Sequence, residues 1–260
     1  MSEPAEAFYL PRGDGRYEPT RATESPWDAD SQHGGPPTAL LGHLLDSAAG
    51  PDMRLARISA DFLGAIPRRG FRVEVAPVRP GRRIALFEAR MVFDGRPAVV
   101  ARAWAIATGP TPPATGRQAR PPALPGPEQD TVLGLTDWGY GEAVEWRYTR
   151  GGHGENSGEA DVWTRVRIPL IEGEKLTALA RTLVVADSAN GLSAALPAEE
   201  WLFIPPSMTT TLARFPEADW VHMSCRSHLS ADGLGVSHAT LCDPDGYLGE
   251  VSQPLLVRGR

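Results

Sequence analysis

Apolar positions recur at helical spacing in two places along the chain. In SQHGGPPTALLGHLLDSAAG, residues 31–50, Leu40, Leu41, Leu44 and Leu45 fall on one face. Ser31 or the Gly34–Gly35 pair can start this helix, the prolines at 36 and 37 suit its first turn, and Gly50–Pro51 stops it. The second helical pattern runs from Lys175 to Ala195, with Leu176, Leu179, Leu183 and Ala186 as its stripe. Strand-like runs follow each helix. After the first they are Met53–Leu63, Phe71–Val78, Arg83–Phe93 and Ala98–Ala107, with turns at Gly70, Pro80–Gly81 and Asp94–Gly95. After the second they are Met208–Arg214, Trp220–Ser227, Val236–Cys242 and Leu248–Val257, and Asp245–Gly246 repeats the Asp94–Gly95 turn. Shorter runs, Gly15–Pro19 and Glu159–Ile168, precede the helices.

The pattern therefore occurs twice, and the two copies are separated by PTPPATGRQARPPALPGP, which holds seven prolines. Each proline fixes φ and removes a backbone donor, so this segment can neither pair into a sheet nor continue a helix. The expected organisation is an N-terminal repeat over 1–109, a proline-rich linker over 110–130 and a C-terminal repeat over 131–260. The expected class is α+β, with a long helix and an antiparallel sheet in each repeat.

Composition narrows the function classes. A net charge of −6 is the opposite of the basic surface that nucleic-acid binding requires. Lys175 is the one lysine; the bias toward Arg, Ala and Pro points to a GC-rich, bacterial genome. Cys225 and Cys242 lie in apolar runs and read as buried free thiols. No run reaches the ~18 consecutive apolar residues of a spanning helix, and Met1–Leu10 lacks the form of a signal peptide. A cytoplasmic protein without membrane contact is expected.

Four motifs resemble the acyl-CoA thioesterase II family. They are HGGPP with ALL (33–41), ADFLGAIPRRG with VRPGRR (60–83), VVADSANGL (184–192) and DGYLGEVSQ (245–253). The resemblance spans nearly the whole chain in the family's order. It implies a double hot-dog fold, in which each sheet wraps a long central helix. It also implies hydrolysis of a fatty acyl-CoA to free acid and CoA, a step in lipid metabolism, without a cofactor. Members of the family hold one water with an aspartate, a serine or threonine, and a glutamine; Asp187 and Gln253 match the first and last. Pro205 stands where the hydroxyl is expected, so Ser207 and Thr209 become the candidates for it. Because family members often associate, a homo-oligomer is expected as well.

The residue types suit this chemistry. A carboxylate among Val184, Val185, Ala186 and Ala189 would be desolvated and so more basic; a capping or surface role for Asp187 stays open. Gln253, in an apolar strand, can hold a water or else face solvent on an edge, as Pro254 suggests. His33, Gly34 and Gly35 are the candidate substrate-binding residues: glycines at a helix start admit a ligand, and free N–H groups there stabilise an oxyanion. The arginines at 68, 69, 79, 82 and 83 are candidates for the CoA phosphates or for solvated turns. The spacing of Asp28 and His33 allows a second enzyme reading, a hot-dog enoyl-CoA hydratase. The departure at Pro205 allows a third, an acyl-CoA binding module without catalysis. The other histidines, His43, His153, His222, His228 and His238, form no metal-ligand spacing.

Overall fold

A computed structural model describes residues 6–110, 120–126, 137–152 and 156–260. The first half comprises β1 (Tyr9–Pro11), β2 (Arg16–Pro19), helix α1 (Gly35–Ala49), β3 (Met53–Phe62), β4 (Phe71–Arg79), β5 (Ile84–Phe93) and β6 (Arg96–Ala107). The second comprises α2 (Gly139–Ala143), β7 (Val144–Gly151), β8 (Glu159–Val166), α3 (Ala178–Ala186), α4 (Ala189–Leu192), β9 (Trp201–Ile204), β10 (Ser207–Leu212), β11 (Val221–Leu229), β12 (Leu234–Asp243) and β13 (Gly246–Gly259). All the strands belong to one antiparallel sheet, ordered β1-β2-β4-β5-β6-β3-β10-β13-β12-β11-β8-β7, with β9 also on β13. Read outward from the β3–β10 pair, the two halves have the same order, so the expected duplication is visible in the topology.

Both helices lie on the inner face, where alternating strand positions and the helix stripes form one core. Leu40, Leu41 and Leu45 of α1 are fully buried, as are Leu183, Val184 and Val185 of α3; removing such side chains from water is worth about 1.5–3 kcal/mol each. The two helices pack directly on one another. Small residues make that approach possible: a Cβ at Gly35 would stand 2.1 Å from the Val184 carbonyl oxygen, and one at Gly42 would stand 2.4 Å from Leu183 Cδ1.

The second helix departs from expectation. A single long helix over 175–195 was expected; instead α3 starts after Thr177, whose side chain accepts the Ala180 N–H at 3.1 Å, and ends at Ala186. A separate turn, α4, follows. The break has a tertiary cause. The Val184 carbonyl is taken by the Tyr140 hydroxyl at 2.8 Å, and Ser188 N–H bonds Val185 instead, which tightens the turn. Asp187 sits at this break.

Most of the proline-rich stretch lies outside the described residues. Of its described part, Pro122 and Pro125 accept hydrogen bonds from Trp163 Nε1 and Arg147 on the second repeat's sheet. Cys225 and Cys242 are buried free thiols. Among the described residues, no helix is long and apolar enough to cross a membrane.

Candidate active site

A cavity of about 470 Å³ opens between the two repeats where α1 begins and α3 ends. Its apolar wall includes Trp27, Phe62, Ile66, Leu202, Ile204 and Pro205, and its polar side includes Gln32, His33, Asp187 and Asn190. Asp187 is 5% exposed, and the little surface it keeps belongs to this cavity.

The carboxylate is held from both sides. Gln253 Nε2 donates to Asp187 Oδ1 at 2.9 Å and to its main-chain oxygen at 3.2 Å. Gln253 Oε1 accepts the Asn190 N–H at 3.2 Å, and Asn190 Nδ2 donates to the Phe203 carbonyl at 3.1 Å. On the other side, the Gly34 and Gly35 amides at the start of α1 face the carboxylate and pull its pKa down, while the Gly35 N–H itself hydrogen-bonds His33 Nδ1. A Cβ on Gly34 would lie 2.8 Å from Asp187 Oδ2, so only glycine lets the helix start come this close. Burial pushes the Asp187 carboxyl up to about 7 against the pull of these donors.

His33 completes the polar wall. Its ring stacks on Tyr140 with centroids 4.0 Å apart and planes 10° apart, and its Nδ1 accepts the Gly35 N–H at 3.1 Å. The same nitrogen lies 3.4 Å from Asp187 Oδ2. Burial lowers the imidazole to about 3, so at neutral pH the ring is uncharged. An Nδ1 that accepts from an amide leaves the proton on Nε2.

The structure thus brings Asp187, Gln253, His33, Gly34 and Gly35 together. It does not bring the candidate hydroxyls to them. Thr209 pairs with Ser252 on β13, which puts its side chain on the face opposite Gln253, and its Oγ1 bonds Ser59 Oγ at 2.9 Å. Ser207 shares that outer parity and pairs with Asp61. Met208 stands across the ladder from Gln253. The cavity wall between β9 and β10 is made by Pro205 and Pro206, where no hydroxyl is available.

Two other expectations change in detail. Gln253 is fully buried behind Asp187 and has both ends occupied by protein groups; β13 is an interior strand, so the edge position suggested by Pro254 does not apply. Pro254 falls between the stretches of β13 paired with β10 and with β9, where no ladder donor is required. The Gly35 amide is likewise occupied, by His33 Nδ1. Asp28 borders the cavity, but its carboxylate accepts from Ser31 Oγ at 2.8 Å and Asp30 N at 3.0 Å; the acid beside His33 is Asp187. Among the arginines proposed for phosphate, Arg68 and Arg79 donate to the Ala29 and Ile84 carbonyls and Arg69 pairs with Asp94.

Tyr140 and Asn190 escaped the pattern reading. Tyr140 lies outside any periodic stretch. Asn190 carried a usable signal, because DSANG (187–191) repeats DSAAG (46–50) at the end of the other helix.

A sheet doubled around two helices, with a buried acid at their junction, defines a hot-dog enzyme class. Comparison with known proteins agrees. Models of the acyl-CoA thioesterase N-terminal and C-terminal domains match residues 23–106 and 117–257. The chain belongs to the acyl-CoA thioesterase family and is a thioester hydrolase. Among solved structures, a candidate thioesterase from Novosphingobium aromaticivorans superposes with a TM-score of 0.76 at 22% identity, covering 98% of this chain and all of that one. A hot-dog protein of unknown function from Alicyclobacillus acidocaldarius gives 0.74 at 16% identity, covering 98% and 97%. The acyl-CoA thioesterase II TesB2 of Mycobacterium marinum gives 0.65 at 16%, covering 97% and 95%. No curated protein matches the chain at a significant level.

Proposed function

We propose that this protein hydrolyses acyl-CoA thioesters in the cavity between its repeats, with Asp187 as the general base. The observation that carries the reading is one buried carboxylate, held near neutrality, at the back of an otherwise largely apolar cavity. The acyl group lies against Trp27, Phe62, Ile66 and Leu202. Asp187 takes a proton from water as its oxygen attacks the carbonyl carbon. The tetrahedral intermediate then collapses, the C–S bond breaks, and the CoA thiolate leaves with the proton returned from Asp187. Gln253 keeps the carboxylate aimed into the cavity and acts as a positioning residue. The repeats are read as 1–109 and 131–260, joined by 110–130, and the substrate as a fatty acyl-CoA used in bacterial lipid metabolism in the cytoplasm.

The test is a thiol-release assay over short, medium and long acyl-CoA substrates. Wild-type protein should release CoA, whereas Asp187→Asn and Gln253→Ala should each lose that activity while keeping the wild-type circular dichroism spectrum. Wild-type-like turnover in both variants would sink the assignment. Tight acyl-CoA binding with no turnover at any chain length would instead favour the binding module that the Pro205 departure suggests.

A further inference from the structure

Neither Ser207 nor Thr209 lines this cavity, and the Gly35 amide at the start of α1 is engaged by His33 Nδ1 at 3.1 Å. A thioester carbonyl entering the cavity therefore still needs a donor for the negative charge that develops on its oxygen. Several polar groups on the wall are committed: Gln32 Nε2 donates to the Pro67 carbonyl at 2.8 Å, Ser31 Oγ to Asp28, and Asn190 Nδ2 to the Phe203 carbonyl. His33 differs. Its Nδ1 is held by Gly35, and its Nε2 has no partner among the described residues. Nor is that nitrogen among their sealed, unpartnered atoms, which are Arg57 Nε, Arg181 Nε, Thr210 Oγ1 and His222 Nε2. The ring borders this cavity and a smaller one of about 30 Å³ beside Trp138 and Ser188, so an unpartnered atom that is not sealed opens onto this joined space.

Resting on the thioesterase reading above, we infer that His33 is a catalytic residue whose Nε2–H donates to the thioester carbonyl oxygen, taking the part expected of Ser207 or Thr209. The geometry supports a fixed donor. Tyr140 stacks along the ring, and the Tyr140 hydroxyl is itself anchored to Val184 and to Ser188 Oγ at 2.8 Å each, so the imidazole is clamped before substrate arrives. The ring stays neutral through the reaction: it lends a hydrogen bond to the oxyanion while the proton from water resides on Asp187. The glycine pair acquires a matching reason. It orients the imidazole through Gly35, and its missing side chains let the helix start approach the base.

The variants follow from the two nitrogens. Asparagine at position 33 places an oxygen near the Nδ1 site and so keeps an acceptor for Gly35, but supplies nothing near Nε2; glutamine places an N–H near Nε2. His33→Asn should lower kcat for acyl-CoA about 10²-fold, as loss of an oxyanion donor does, with KM changed less than about threefold. His33→Gln should recover part of the loss. A kcat for His33→Asn within threefold of wild type overturns the inference.

A second measurement is independent of turnover. In the Asp187→Asn background, acyl-CoA carrying a 13C carbonyl should show a lowered infrared C=O stretch when bound, and adding His33→Asn should abolish that lowering. An unchanged stretch overturns the inference even if kcat falls. If wild-type protein releases no CoA, the thioesterase reading fails, and the infrared comparison still decides the role of His33.

Discussion

The two helices end in the same pentapeptide pattern, DSAAG at 46–50 and DSANG at 187–191, yet the two ends differ chemically. At the end of α3, Asp187 is buried, bonded by Gln253 and faced by two helix-start amides, and opens onto a cavity. At the end of α1, Asp46 is half-buried, and its Oδ1 accepts only the Leu55 amide, at 3.4 Å. Counting equally from the first paired residue of β6 and of β13, the counterpart of Gln253 is Ala103, a buried methyl. No glycine pair precedes α3 either; Glu174 and Lys175 lie there, with Glu174 Oε2 3.2 Å from His43 Nε2. Duplication supplied two carboxylates at helix ends. Gln253 from its own repeat and the helix start of the opposite repeat made only one of them a candidate base.

The largest effect should separate the two aspartates. Asp187→Asn should reduce CoA release at least about 10³-fold, within the range for loss of a general base. Asp46→Asn should leave it within about twofold; equal losses would erase the functional distinction between the ends.

Dependence on pH sharpens the same contrast. With the Asp187 carboxyl near 7, kcat/KM should rise with pH and reach half its plateau near 7. Stability runs the other way. A carboxyl whose folded pKa lies above its unfolded value of about 3.9 favours the fold fully below that value, and the advantage is lost as pH rises through 7. Asp187→Asn should therefore gain stability relative to wild type between pH 5 and pH 8, by roughly 2.6 kcal/mol as an upper bound. Urea titrations at the two pH values measure this, and a pH-independent difference would contradict the buried-base description.

The smallest effect concerns glycines at the two ends of α1. Gly35→Ala pushes a methyl into the Val184 carbonyl and should cost about 1–3 kcal/mol together with activity, because it moves the amides off Asp187. Gly50→Ala meets no atom within 4 Å but occupies a backbone φ of +83°, so it should cost about 1 kcal/mol and leave kcat alone. Chemical melts paired with the thiol assay separate the two.

Much of the architecture was legible in the chain because it is written in local periodicity. Period-2 runs placed the long strands, the Asp94–Gly95 and Asp245–Gly246 pairs placed equivalent turns, and the prolines at 36 and 37 with Gly50 bounded α1. Family-like motifs singled out Asp187, Gln253 and the His33–Gly34–Gly35 run. The division of labour among them was not local. Whether Thr209 faces Gln253 depends on the β10–β13 register, which sets the faces of two segments more than forty residues apart. The break before Asp187 depends on Tyr140, whose hydroxyl reaches Val184 across 44 residues of sequence. How closely Gly34 and Gly35 come to Asp187 and Val184 depends on the approach of α1 and α3. Periodicity and turn chemistry act between neighbours in sequence, so the chain by itself determined the elements and their repetition. Burial, register and hydrogen-bond saturation act between neighbours in space, and only the tertiary structure decided which of two similar aspartates is buried against a cavity.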